Sequence, residues 1–123
     1  MENILLQDKA FIDKFIDEMT SKLSWTSEKI GAKFPYTTTN GKYEEFAFLN
    51  SVSWWTNGFW PGMMWLMYNY TKDDKYKAIA EKCEELLDDA LYGFKEIHHD
   101  VGFMWNLSSV ANYMITGNEK SKT

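Results

Sequence analysis

Two short segments hold the residue types that do chemistry. His98-His99-Asp100 sets two imidazoles and a carboxylate side by side, just ahead of an apolar run that opens Val101-Gly102-Phe103. A carboxylate so placed can act as an acid, a base or a charge-stabilising partner, and imidazoles beside it can hydrogen-bond to the loop or to a bound molecule. Upstream, Trp54-Trp55-Thr56-Asn57-Gly58-Phe59-Trp60 opens another apolar run. An aromatic face matches the apolar side of a pyranose ring, so Trp54 or Trp55 is a candidate platform for a sugar.

Each of these residues also has a plain structural use. Asp is a favoured helix N-cap, and a cap alone would explain an acid just before Val101. Trp54 and Trp55 suit packing at a helix start, while Trp60, Trp65 and Trp105 lie within helical runs and are expected in the core. Both segments precede helix N-termini, where free backbone N–H groups and the helix dipole favour negative charge, whether from an Asp or from a substrate carboxylate. No metal is expected at His98 and His99, because adjacent side chains usually point apart and no third and fourth ligand stand at metal-site spacing. Cys83 falls on an apolar helical stripe and is expected to be a quiet core thiol.

The elements that position these segments follow from periodicity. Residues 8–23 place Phe11, Ile12, Phe15, Ile16, Met19 and Leu23 on one stripe, the pattern of an amphipathic helix. A long connection follows, with Phe34-Pro35, a Thr37-Thr38-Thr39 run and an Asn40-Gly41 turn signal. Unstructured connections of such length are uncommon unless functional. Residues 59–70 predict a helix apolar on every side, and therefore buried all round; Pro61 is tolerated in its first turn, where a missing N–H leaves no gap. Residues 73–91 return to an amphipathic pattern, with Tyr76, Ile79, Ala80, Cys83, Leu87 and Ala90 on one stripe. Residues 102–115 predict a second enclosed apolar helix.

The order amphipathic, apolar, amphipathic, apolar reads as a helical hairpin used twice. Both apolar helices start alike, at Gly58-Phe59-Trp60 and Gly102-Phe103-Met104-Trp105, and they end alike at Thr71-Lys72-Asp73 and Thr116-Gly117-Asn118. In antiparallel hairpins the loops leading into successive inner helices lie at one end, which predicts that the Trp54-Trp55 and His98-His99-Asp100 segments share a rim. Two amphipathic helices offer too little surface to cover two all-apolar ones. The chain is therefore expected to be a single helical domain, 1–123, that is the N-terminal fragment of a longer protein or, failing that, one that self-associates.

Bulk properties narrow the function classes. The 123 residues carry a net charge of −5 with no cluster of basic residues, which removes the electrostatic footprint for nucleic acid or anionic lipid. Six Trp among 17% aromatic residues argue for a folded, aromatic-lined protein. The longest apolar stretch, residues 59–70, is shorter than the roughly 20 residues that a membrane-spanning helix needs. A single Cys and an acidic N-terminus without a signal-peptide pattern point to the cytoplasm.

Taken together, Phe34-Pro35, Trp55-Thr56-Asn57-Gly58-Phe59-Trp60-Pro61-Gly62, Tyr68-Asn69-Tyr70-Thr71 and His98-His99-Asp100-Val101-Gly102-Phe103 resemble the N-terminal part of the unsaturated glucuronyl hydrolases of glycoside hydrolase family 88. The resemblance implies an all-α fold, about two of the six helical hairpins of an (α/α)6 barrel. It implies removal of a 4,5-unsaturated glucuronyl residue from the non-reducing end of lyase-generated chondroitin, hyaluronan or heparin oligosaccharides, by hydration of the vinyl ether double bond. No metal or organic cofactor is implied. Asp100 matches the first of two family aspartates, the nucleophile-like or charge-stabilising one, and the general acid/base would lie beyond Thr123. Trp55 matches a Trp lining the sugar subsite and His99 the neighbour of the first aspartate. Asn57, a further candidate for substrate binding, stands where relatives often have Asp. Alternatives are an unsaturated rhamnogalacturonyl hydrolase of the same barrel type, and a sugar-binding or interaction module without chemistry.

Overall fold

A computed structural model of the chain describes residues 2–43, 52–94 and 97–122, with side chains from residue 8 onward. Among these residues the architecture is all-α apart from one two-stranded hairpin, and in its helical layering it agrees with part of an (α/α)6 barrel.

Helix α1 (Glu2–Ile30) is longer than its apolar periodicity predicts, and its C-terminal half does the packing. Leu23, Ser27 and Ile30 are buried, and Gly31 closes the helix at φ 60°, its N–H bonding to the Ser27 carbonyl at 2.8 Å. The expected buried stripe does not extend toward the N-terminus: Phe11, Ile12 and Phe15 are exposed, because no other described element reaches that half of the helix. Beyond Gly31, the buried Phe34 anchors the connection to the core. Strands β1 (Thr38–Thr39) and β2 (Lys42–Tyr43) then pair antiparallel through the predicted Asn40-Gly41 turn. Both turn residues have positive φ, 51° and 73°, as a two-residue hairpin of the twisted kind requires. The rest of the long connection, residues 44–51, lies outside the described residues.

A 3₁₀ turn, Trp55–Gly58, leads directly into α2 (Phe59–Thr71). The buried Trp60 donates its indole N–H to the Gly31 carbonyl at 2.9 Å, tying the start of α2 to the end of α1. α2 packs antiparallel on α3 (Asp74–Tyr92), whose apolar stripe is buried as predicted, with Tyr76, Ala80, Cys83, Leu87 and Ala90 all in the core.

The apolar run predicted as one helix over 102–115 is two: α4 (Val101–Trp105) and α5 (Ser109–Thr116). The break is local chemistry. At it, the buried Ser108, at φ −105° and ψ −84°, leaves helical geometry while its hydroxyl donates to the Met104 carbonyl at 2.6 Å. Across the interior, the Asn112 amide on α5 donates to Glu84 of α3 at 2.8 Å and to Ser121 at 3.0 Å, while its carbonyl accepts from Thr116 at 2.7 Å. This network joins the second unit to the first and satisfies polar groups that burial would otherwise penalise.

The two units end through one device. In each, a Thr hydroxyl accepts from the N–H two residues on (Asp73 N at 3.1 Å, Asn118 N at 3.2 Å). The residue between is left-handed (Lys72 at 59°, Gly117 at 75°), and the Asp or Asn side chain then accepts from the next N–H but one (Lys75 at 3.0 Å, Lys120 at 3.1 Å). The expected enclosure of the apolar helices is corrected: α2 leaves Leu66 and Tyr70 exposed, and α5 leaves Val110 and Met114 exposed, since within these residues nothing lies against those sides. Among the described residues no helix is long and apolar enough to cross a membrane.

Candidate active site

The Trp54-Trp55 segment is held from below by Asn57. Its side chain is buried and donates to the Val52 carbonyl at 3.0 Å, and its backbone N–H bonds to the Trp54 carbonyl at 2.9 Å. Asn57, read from the sequence as a substrate contact, is therefore placed to shape the turn. The turn displays a run of rings in which Tyr36 meets Trp54 edge-on at 5.9 Å, Trp54 meets Trp55 at 6.4 Å, and Trp55 meets Phe59 edge-on at 5.8 Å. Such tilted and edge-to-face contacts fix ring orientation without covering both faces.

The acidic segment is built by short-range bonds. The His98 carbonyl accepts from Val101 N at 3.2 Å, the Asp100 carbonyl accepts from Phe103 N at 3.0 Å, and the Asp100 N–H donates to His98 Nδ1 at 3.2 Å. Asp100 occupies the N-cap position of α4, yet its side chain makes no capping hydrogen bond. The carboxylate faces the imidazoles instead, with Oδ2 at 3.7 Å from His98 Nδ1 and 3.4 Å from His99 Nε2. Asp100 is about one-third exposed and His99 nearly fully so. The plain N-cap explanation of this acid thus does not describe the geometry.

The adjacent imidazoles were expected to diverge. They do not: the ring centroids are 5.4 Å apart, and one ligand atom from each of His98, His99 and Asp100 falls within 4.8 Å of the others. A turn rather than a strand carries them, so the alternation of side-chain directions is lost.

Tertiary packing seats the Trp55 turn on α4, the helix that follows Asp100. Gly58 lies so close to α4 that a Cβ there would stand 2.0 Å from the Phe103 carbonyl oxygen and 2.6 Å from the Met104 Cα. Only glycine permits this approach. As a result Phe103, on the first turn after Asp100, lies 5.5 Å from Trp55 and 6.2 Å from Phe59. This contact joins the Trp55 turn to the first turn of α4, the element that Asp100 precedes. Phe103 and Phe59 join the rim as partly exposed rings. Sequence reading assigned both to enclosed helices; the usable signal was their place in the first turn, where a helix has not yet entered the core. Two clefts lie nearby: one of about 360 Å³ between the end of α1 and the β-hairpin, lined by Trp25, Lys29 and Tyr43, and one of about 240 Å³ between α2 and α5, which Phe59 also lines. Asp100 lines neither.

Comparison with known proteins gives the chain its relatives. It is 34% identical over 97 residues to the unsaturated glucuronyl hydrolase of Bacillus sp. (strain GL1), covering 77% of this chain and 25% of that protein. It is 33% identical over 112 residues to the unsaturated chondroitin disaccharide hydrolase of Streptococcus pneumoniae (90% and 26%), and 32% identical over 121 residues to that of Streptococcus agalactiae (97% and 29%). The chain thus resembles the N-terminal part of unsaturated glucuronyl hydrolases and spans about a quarter of the length of the curated relatives it matches. No protein-family model matches it, and no solved structure does.

Proposed function

We propose that this chain carries the first-acid half of a glycoside hydrolase site acting on 4,5-unsaturated glucuronyl residues at the non-reducing end of chondroitin-, hyaluronan- or heparin-type oligosaccharides. The observation that carries the reading is the docking of the Trp55 turn, through Gly58, on α4, the short helix that Asp100 precedes with a carboxylate making no capping bond. The similarity to unsaturated glucuronyl and chondroitin disaccharide hydrolases supplies the substrate class.

The chemistry suits a vinyl ether. A proton delivered to C4 of the double bond leaves positive charge shared between C5 and the ring oxygen. Water then adds at C5 and loses its proton to a base, and the resulting hemiketal opens, so that the aglycone departs from C1. Asp100 is assigned the role of opposing the developing charge, His99 that of a hydrogen-bonding neighbour, and Trp55 that of stacking on the sugar ring. Asn57 acts as a positioning residue for Trp55. Proton delivery is assigned to a second carboxylic acid outside residues 1–123. We place the protein in the cytoplasm, where the single buried thiol of Cys83 is stable.

The test is binding and turnover of an unsaturated chondroitin disaccharide. NMR titration of the chain should shift resonances of the Trp55 indole and of residues 98–103, with the shifts lost in Trp55→Ala; shifts confined to other residues, or none at millimolar ligand, would overturn the reading. Loss of the absorbance of the conjugated double bond should not occur with this chain alone. Turnover that disappears in Asp100→Asn would show that the second acid is not needed.

A further inference from the structure

We infer that the His98-His99-Asp100 turn is a chelating site for a borderline divalent transition metal ion of the zinc, cobalt or nickel class. Three ligand atoms of the favoured types, two imidazole nitrogens and a carboxylate oxygen, gather within 4.8 Å of one another. A tetrahedral ion held at metal–nitrogen distances of about 2.0–2.1 Å needs its ligands about 3.3 Å apart. Asp100 Oδ2 already stands 3.4 Å from His99 Nε2 and 3.7 Å from His98 Nδ1, so two of the three separations are near that value and side-chain rotation must close the third.

The state of the ligands favours this use. His98 Nδ1 accepts the Asp100 N–H, which means that this nitrogen carries a lone pair and no proton in that tautomer. The contact is a 3.2 Å bond to an exposed turn, and an ion replaces it with a stronger one. The Asp100 carboxylate is not engaged as a helix cap. His99 is nearly fully exposed, which opens a path for the ion and leaves coordination positions for water. The ligand mixture of two nitrogens and one oxygen fits zinc, cobalt or nickel better than calcium or magnesium, which prefer all-oxygen shells. The site shares Asp100 and His99 with the sugar reading, so an ion bound there would withdraw the carboxylate from that role; the metal titration below reads the ion alone and does not depend on turnover.

The chain makes the test clean, because it contains two histidines and both are in this turn, and its one cysteine is buried. Zinc ion is titrated into the folded chain in competition with a chromophoric chelator, and cobalt ion is added separately to read coordination from its visible spectrum. One ion per chain is expected. His98→Gln, His99→Gln and Asp100→Asn should each weaken zinc binding by at least about tenfold, a loss seen even for residues that only support a ligand. The double variant His98→Gln/His99→Gln, checked for unchanged helicity, should abolish it. Absence of saturable 1:1 binding, or equal binding by the double variant, would overturn the inference.

Discussion

At the residue scale, burial rather than residue type decides which reactive groups are available. Cys83 and Asp100 are both groups that sequence reading weighs as possible chemistry. Cys83 is fully enclosed on α3, and burial pushes its thiol up from 9.0 to about 12. It should resist alkylation by iodoacetamide at pH 8 and react at once when the chain is unfolded in guanidinium; prompt reaction of the native chain would contradict the burial. The sign of its pH effect follows. Because the folded value is raised, the stability contributed by the neutral thiol is whole below about pH 9 and erodes as pH climbs toward 12. The stability deficit of Cys83→Ala, a small-to-smaller core change, should therefore be constant below about pH 9 and shrink above it, as read by thermal unfolding. The quiet role of Cys83 was legible from its place on an apolar stripe. That the Asp100 carboxylate stands free of the helix end was not, because Asp is a common cap and only the side-chain rotamer separates the two uses.

At the element scale, the contact that builds the candidate site is a backbone approach made possible by one glycine. Gly58 meets the α4 backbone with no room for a methyl group, whereas the matching Gly102 has nothing nearer its missing Cβ than Asn106 Nδ2 at 3.6 Å. Gly58→Ala should cost on the order of 3 kcal/mol as the turn is forced off α4, and Gly102→Ala far less, both read by urea denaturation. Equal effects would mean that the turn and α4 do not dock as described. The repetition of the two glycines was readable in sequence, but their different duties were not: a sequence repeat reports local backbone needs, while the spacing between Gly58 and Phe103 depends on how two separate elements meet. The break at Ser108 was missed for the opposite reason. It is local, a departure of the Ser108 backbone from helical angles, which the apolar periodicity on either side hides.

At the scale of the whole molecule, the large apolar side chains left in water are the dominant feature. Phe11 on α1, Leu66 on α2 and Met114 on α5 are 72%, 70% and 78% exposed, on three different helices. Where such side chains adjoin one another, they mark association surfaces or aggregation liabilities. The isolated chain should therefore self-associate, which size-exclusion chromatography with light scattering reads directly. Replacing all three residues with Lys should shift it toward monomer; a compact monomeric parent chain would overturn the expectation.

The sequence by itself determined the helical class, the alternation of amphipathic and apolar helices, the paired hairpin endings and the positions of the two chemistry-bearing turns, because periodicity and capping act over a few neighbouring residues. The tertiary structure alone decided that Gly58 seats the tryptophan turn against α4 and which sides of α2 and α5 stay uncovered. Those outcomes depend on contacts between residues far apart in the chain, where shape and available space select among arrangements that local preference leaves equal.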